Sequence, residues 1–217
     1  MSKRDNVEIA IIGAGFVGIA TAYYLCRKYQ RTSVLLIDSR EPMSYTSAQS
    51  GDNYRNWWPS KQMTQFTDHS ISLMHDIAQE SSNVLNMQQR GYALATRGKD
   101  IDGLLATLNA NFEDPSESVR QHSSSSSSNY LDPHNTNWAA GIDGVDVLSN
   151  TALIQQTFPA FNADIQNVVH IRKAGDISGQ QMGEFMSQKC KPLGLSRLHG
   201  QVTNLTCNGN YELEIDT

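Results

Sequence analysis

Gly13, Gly15 and Gly18 follow the spacing G-x-G-x-x-G, and Asp38 ends the next apolar run, Val34–Asp38. These residue types in this order suit a dinucleotide. Gly13 permits a tight turn out of a strand, and Gly15 lets a pyrophosphate approach the backbone around Ala14, Phe16 and Val17. Gly18 lets the following helix close on the sheet. The N-terminus of that helix offers N–H donors and a partial positive charge to a diphosphate. The Asp38 carboxylate is placed to accept hydrogen bonds from an adenosine ribose. The same pattern also serves as a plain βαβ core, so the elements around it matter.

An apolar strand over Val7–Ile12 runs into the glycines, and Ile19, Ala22, Tyr23 and Cys26 recur at helical spacing after them. Residues 39–59 are irregular and rich in Ser, Gly, Asn and Trp, which marks a functional loop. From Ser60 the spacing of Met63, Phe66, Ser70, Leu73, Met74 and Ile77, three or four apart, predicts a second helix. Strands are expected at Asn83–Gln88 and Gly91–Thr96. A helix is expected over Lys99–Asn111, with Ile101, Leu104, Leu105, Leu108 and Phe112 as its buried stripe. Residues 113–146 lose periodicity and contain the serine run Ser123–Ser128, which predicts an exposed, mobile insertion.

Regular structure is expected to resume with a short helix near Asn150–Thr157, capped by Ser149 or Asn150 and stopped by Pro159. A strand at Val168–Arg172 precedes a helix at Gly179–Lys191 that shows Met182, Phe185, Met186 and Cys190 on one face, with Gly194 beyond its end. Leu195–Leu198, Gln201–Thr206 and Tyr211–Ile215 read as strands, the last two joined by Asn208-Gly209 in a hairpin.

The chain has 217 residues, 39% of them hydrophobic and 18% charged, with a net charge of −5. That is a globular, mildly acidic composition without the basic cluster of a nucleic-acid surface, and no apolar run has the length of a membrane span. The first strand begins so early that no signal peptide is expected. Cys26, Cys190 and Cys207 fit neither a disulfide framework nor a zinc site and read as buried or free thiols of a reducing, cytoplasmic compartment. His69 and His75 have the wrong spacing to share a metal, and His122, His134, His170 and His199 are scattered, so no metal site is expected.

Four stretches in order resemble the N-terminal half of the D-amino-acid oxidase/sarcosine oxidase (DAO) family of FAD-dependent oxidoreductases. They are the fingerprint with Asp38-Ser39-Arg40-Glu41-Pro42, the loop Thr46–Arg55, Gly91-Tyr92-Ala93-Leu94, and Ala174–Ile177 with the helix, Gly194-Leu195, Gly200 and Val202 after it. The resemblance implies an α/β fold. A Rossmann-like, GR2-type FAD-binding domain formed by 1–82 and 168–217 would carry an inserted, incomplete α+β substrate domain at 83–167. It implies non-covalent FAD and hydride removal from a carbon bearing an amine, in a small amine or amino-acid substrate. Family members are close to twice this length, so the chain reads as a truncated form, with a missing C-terminal half or a second subunit as its partner.

The resemblance also implies site residues. Ser47, Ser50 and Gly51 fall in the segment that runs along the flavin, Ser39 and Arg40 lie at the adenosine end, and Val202 matches a main-chain contact to the adenine. Arg55 is the catalytic candidate, a cation beside the flavin or a substrate carboxylate; an ion pair with Asp52 is the plain alternative. Trp57-Trp58-Pro59 either lines a substrate pocket or packs. Two other functions stay open from the sequence: an NAD(P)-dependent dehydrogenase, and a non-catalytic homologue acting as an interaction subunit.

Overall fold

The structure is a computed structural model that describes residues 6–112, 114–124 and 130–217. Its strands are β1 (Ile9–Ile12), β2 (Val34–Asp38), β3 (Asn53–Arg55), β4 (Tyr92–Thr96), β5 (Val119–His122), β6 (Val145–Leu148), β7 (Asn167–Ile171), β8 (Ala174–Asp176), β9 (Leu195–His199), β10 (Gln201–Cys207) and β11 (Tyr211–Asp216). The helices are α1 (Phe16–Arg27), α2 (Lys61–Glu80), α3 (Asp102–Asn111), the single turn α4 (Pro115–Ser118), α5 (Thr151–Thr157) and α6 (Gly179–Cys190). Contacts gather the chain into two compact units, Met1–Gly51 with Ser178–Thr217, and Asp52–Ile177.

In the first unit β1, β2 and β9 form a parallel sheet with β2 in the middle. The register pairs Ile9 with Val34 and Ile12 with Ile37, so Ile11 and Leu36 share one face. Helix α1 buries Ile19, Ala22, Tyr23 and Cys26, the residues its periodicity predicts, and it packs along α6. Helix α6 is capped by Ser178, whose hydroxyl accepts the Gln181 N–H, and it buries Met182, Met186 and Cys190. Gly194 takes φ +107° where the chain turns into β9; a Cβ there would sit 2.0 Å from the Thr32 carbonyl oxygen. Strands β10 and β11 form the expected hairpin, with a register shift between Val202 and Asn204. All three cysteines are free, and burial pushes the Cys190 thiol up to about 12.

The edge of β1 has a distinct character. Among the described residues it pairs only with β2, and the N–H groups of Ile9 and Gly13 reach Ser33 and Ile37 carbonyls on that side. The alternation of a strand therefore turns the main-chain groups of Ala10 and Ile12 away from β2. Their side chains are exposed as well, Ile12 to 59%.

In the second unit a four-stranded sheet runs β4-β7-β6-β5, with β5 parallel to β6 and the other pairs antiparallel. One apolar cluster joins Val145, Val147, Val169 and Ile171 to Leu108, and Ile101, Leu104, Leu105 and Phe112 pack against it, as the stripe of α3 predicts. A second joins Leu148 and Val168 to Leu153, Ile154 and Ile165. Asn150 caps α5 by accepting the Leu153 N–H. Strands β3 and β8 make a separate antiparallel pair.

By contacts the chain divides at 51/52 and 177/178: β7 is a strand of the sheet in the second unit, β3 pairs with β8, and α2 packs on β3 and α3. Two expectations need correction. Asn83–Gln88 is not a strand: Ser82, Asn83 and Asn86 take positive φ, and only Gln88 forms a bridge, to Asp176. On α2 the buried residues are Thr64, Ile71, Ile77 and Ala78, while Met63 and Phe66 are exposed. Polar Thr64 faces inward and exchanges hydrogen bonds with the main chain of Trp58. Finally, residues 114–124 and 130–146 hold α4, β5 and part of β6, with His122 and Asp146 buried. Ser125–Ser128 of the serine run lie outside the described residues.

Candidate functional site

The glycine turn of the first unit is built as its spacing requires. Gly13 has φ +110° with open space where a Cβ would project, so its dihedral angle, rather than crowding, demands glycine. Gly18 is the reverse case, since a Cβ there would lie 1.9 Å from the Gly13 carbonyl oxygen and 3.5 Å from the Ile11 side chain. Gly15 is the N-cap of α1 in extended conformation, and no acidic residue stands in the first helical turn to compete with an anion. Ala14 is fully buried, whereas Val17 is 79% exposed.

Asp38 ties this turn to β2. One carboxylate oxygen accepts the Ala14 N–H at 2.7 Å and the other the Arg40 N–H at 2.8 Å. Lone pairs remain on both oxygens for hydroxyl donors. Ser47, on a 3-10 turn at Thr46–Gln49, accepts the Phe16 N–H at 3.0 Å, so its hydroxyl stands at the N-terminus of α1. The Met43 N–H reaches the Ala14 carbonyl and seats the loop on the turn.

The structure thus brings Gly13, Ala14, Gly15, Phe16, Gly18, Asp38 and Ser47 together around one helix end. Ser39, Ser50 and Gly51 are exposed loop residues. Arg40 is exposed too, its guanidinium 4.1 Å from the Tyr45 ring centroid. Val202 sits on β10 opposite Ile215.

Arg55 belongs to the second unit. Its guanidinium carbon lies 4.1 Å from the Trp58 ring centroid and 4.8 Å from that of Tyr92.

The family model for FAD-dependent oxidoreductases, DAO, matches residues 8–214. The chain belongs to the DAO family. The family uses FAD, and the glycine cradle, the acid-free helix end and the Asp38 carboxylate fit the adenosine diphosphate part of that group. The DAO chain is also similar to several solved structures. They include L-proline dehydrogenase from P. horikoshii (16% identity, TM-score 0.72), with 99% of this chain and 50% of that chain covered. L-amino acid deaminase from Proteus myxofaciens, solved with anthranilate, has 13% identity and a TM-score of 0.73, covering 100% and 44%. Glycine oxidase from Bacillus cereus has 12% identity and a TM-score of 0.66, covering 94% and 50%. At these identities the likeness establishes the α/β, Rossmann-like fold. The DAO chain spans about half the length of these solved relatives. A comparison with curated proteins finds no significant match. No described helix is long and apolar enough to cross a membrane, and no described cluster of ligating side chains suits a metal ion.

Sequence reasoning missed a buried polar cluster in the second unit. Asp146, 2% exposed, receives Arg120 Nε at 2.7 Å, His122 Nε2 at 2.9 Å and Arg172 Nη1 at 3.2 Å. Burial alone would raise the Asp146 carboxyl; the hydrogen bonds of Arg120 and His122 and the charges of Arg120 and Arg172 outweigh it and hold the group below its ordinary value. His170 has Nε2 2.9 Å from the Arg90 carbonyl, so Nε2 carries the proton. Its Nδ1 then accepts from Arg172 and Tyr130, each at 2.9 Å. Burial, reinforced by Arg172, lowers His170 to about 4. The signal was present as polar residues two apart on strands, Arg120 with His122 and His170 with Arg172, sharing the face of Asp146.

Proposed function

We propose that this DAO-family chain is the FAD-binding part of a flavoenzyme that oxidises an amine or amino acid. The observation that carries the reading is the end of α1, where a glycine cap, Asp38 and Ser47 surround donors unopposed by acid. Gly13, Ala14, Gly15, Phe16, Val17 and Gly18 would hold the diphosphate, and Asp38, with Ser39 and Arg40 beside it, the adenosine ribose. Ser47, Ser50 and Gly51 continue toward the flavin, and Val202 lies against the adenine. Attachment is non-covalent, since the Ser50-Gly51 loop has no histidine.

When bound, FAD supplies a hydride acceptor. The chain supplies position and charge: Asp38 orients the nucleotide, and Arg55 offers a cation to the substrate carboxylate or to the reduced flavin. Relatives of about twice this length support a further polypeptide, in cis or as a second subunit, that completes the substrate site. The odd number and wide separation of Cys26, Cys190 and Cys207 in the sequence are the ground on which a reducing, cytoplasmic compartment is proposed. The test is a visible absorption spectrum of the purified chain incubated with FAD and desalted. Flavin bands near equimolar ratio are expected, lost in Asp38→Ala, and a colourless wild-type protein would remove the reading.

A further inference from the structure

We propose that a polar cavity of the second unit, with Asn56 in its floor, binds an organic cation that carries several N–H donors. The cavity has a volume of about 470 Å³ and is lined by the first half of α2, the end of α3, α4 and the turn into β6. Asn56 lines it while being only 3% exposed. Its Nδ2 donates to Asp143 Oδ1 at 3.0 Å and to Asp68 Oδ1 at 3.2 Å. Ionised carboxylates only accept, so the amide nitrogen is fixed on that side. The amide oxygen, Asn56 Oδ1, is then left buried without a donor. A buried acceptor without a partner is costly, and it marks a donor that the fold does not supply.

The charges around the cavity set the sign of that donor. Arg120 is matched by Asp146 at 2.7 Å, and Asp68 by Lys173 at 2.6 Å. Asp143 has the Lys173 ammonium only at 4.0 Å, and its carboxylate is held by the N–H groups of Asn56 and Gly144. Glu117, also in the lining, forms no ion pair among the described residues. Against these two acids stands Lys61, exposed on the first turn of α2, so the unmatched charge is negative. A metal ion does not suit the site, because Lys173 already holds the Asp68 oxygen and no described cluster of side chains provides a ligand set. An N–H cation suits it: one donor satisfies Asn56 Oδ1, and others meet the carboxylates in charge-assisted hydrogen bonds. Phe112 and Ile142 add apolar wall for a carbon body.

The proposal is independent of the family reading, since no flavin contact enters it. Benzamidine, a planar cation with N–H donors, is titrated into the flavin-free chain by calorimetry. Neutral benzamide and phenyltrimethylammonium, a cation without N–H groups, are the controls. Saturable binding of benzamidine is expected, about tenfold or more tighter than either control. Asn56→Ala, which removes the acceptor, abolishes it. Asp143→Asn keeps an oxygen for the N–H groups of Asn56 and Gly144 and weakens binding about tenfold, and Glu117→Gln weakens it about threefold. Lys61→Glu places an acid at a helix N-terminus, where it is tolerated, and tightens binding about threefold, a gain that a damaged fold does not give. Near-ultraviolet circular dichroism establishes that each variant is folded. No binding to the wild type, equal binding of either control, or unchanged affinity in folded Asn56→Ala and Asp143→Asn would overturn the proposal. A protein that takes up FAD but not benzamidine fails here and keeps the family reading.

Discussion

Two carboxylates, Asp38 in the first unit and Asp146 in the second, solve the same problem with opposite means. Asp38 is half-buried and is satisfied by main-chain donors, the N–H groups of Ala14 and Arg40. Asp146 is buried and is satisfied by side-chain donors, Arg120 and His122 of β5 and Arg172 just beyond β7. The main-chain partners of Asp38 leave lone pairs for a ligand, and they fix the turn without bringing another charge into the fold. The partners of Asp146 lock a sheet together and leave the carboxylate nothing to give away. A carboxylate held by backbone remains usable, whereas one held by arginines becomes structural.

That contrast is open to attack by mutation. Asp146→Ala leaves Arg172 buried without its anion and is expected to cost about 3–5 kcal/mol. Asp38→Ala strands the N–H of Ala14 and the N–H of exposed Arg40 but no buried charge, and is expected to cost about 1 kcal/mol. Urea unfolding of the two variants measures the gap, and equal losses would end the distinction.

Acid gives the next effect. His170 titrates near 4 in the folded chain and near 6.5 when unfolded, so between those values the unfolded chain holds the extra proton. Stability therefore falls on acidification from about pH 6.5 to pH 4, by about 3 kcal/mol, and is regained above that window. Asp146, held below its ordinary value, adds a loss at still lower pH as the carboxyl protonates. Urea midpoints at about pH 7 and about pH 4 test this, with His170→Asn expected to flatten the slope.

The smallest effect belongs to the first unit. Ser47→Ala removes the acceptor of the Phe16 N–H at the helix end and is expected to lower stability by about 1 kcal/mol in thermal unfolding.

How legible each region was follows from the same difference. The βαβ unit was readable because its logic is local: strand, glycines and helix are contiguous, and Asp38 is reached within one turn of the pattern. The buried stripes of α1 and α3 were readable for the same reason. The Asp146 cluster was not, because Arg120, Asp146 and Arg172 meet only once β5, β6 and β7 pair in register. The aromatic seat of Arg55, formed by Trp58 and Tyr92, was not readable either. Tyr92 comes from a distant strand that no local pattern links to residue 55.

The open side of β1 carries one further consequence. Its sequence, Ile9-Ala10-Ile11-Ile12, has no lysine, proline or bulge, the devices by which edge strands ordinarily discourage adhesion. The outward amides of Ala10 and Ile12 are indifferent to the identity of what they meet; any extended backbone satisfies them. Concentration, more than heat, is therefore the variable to which this surface responds.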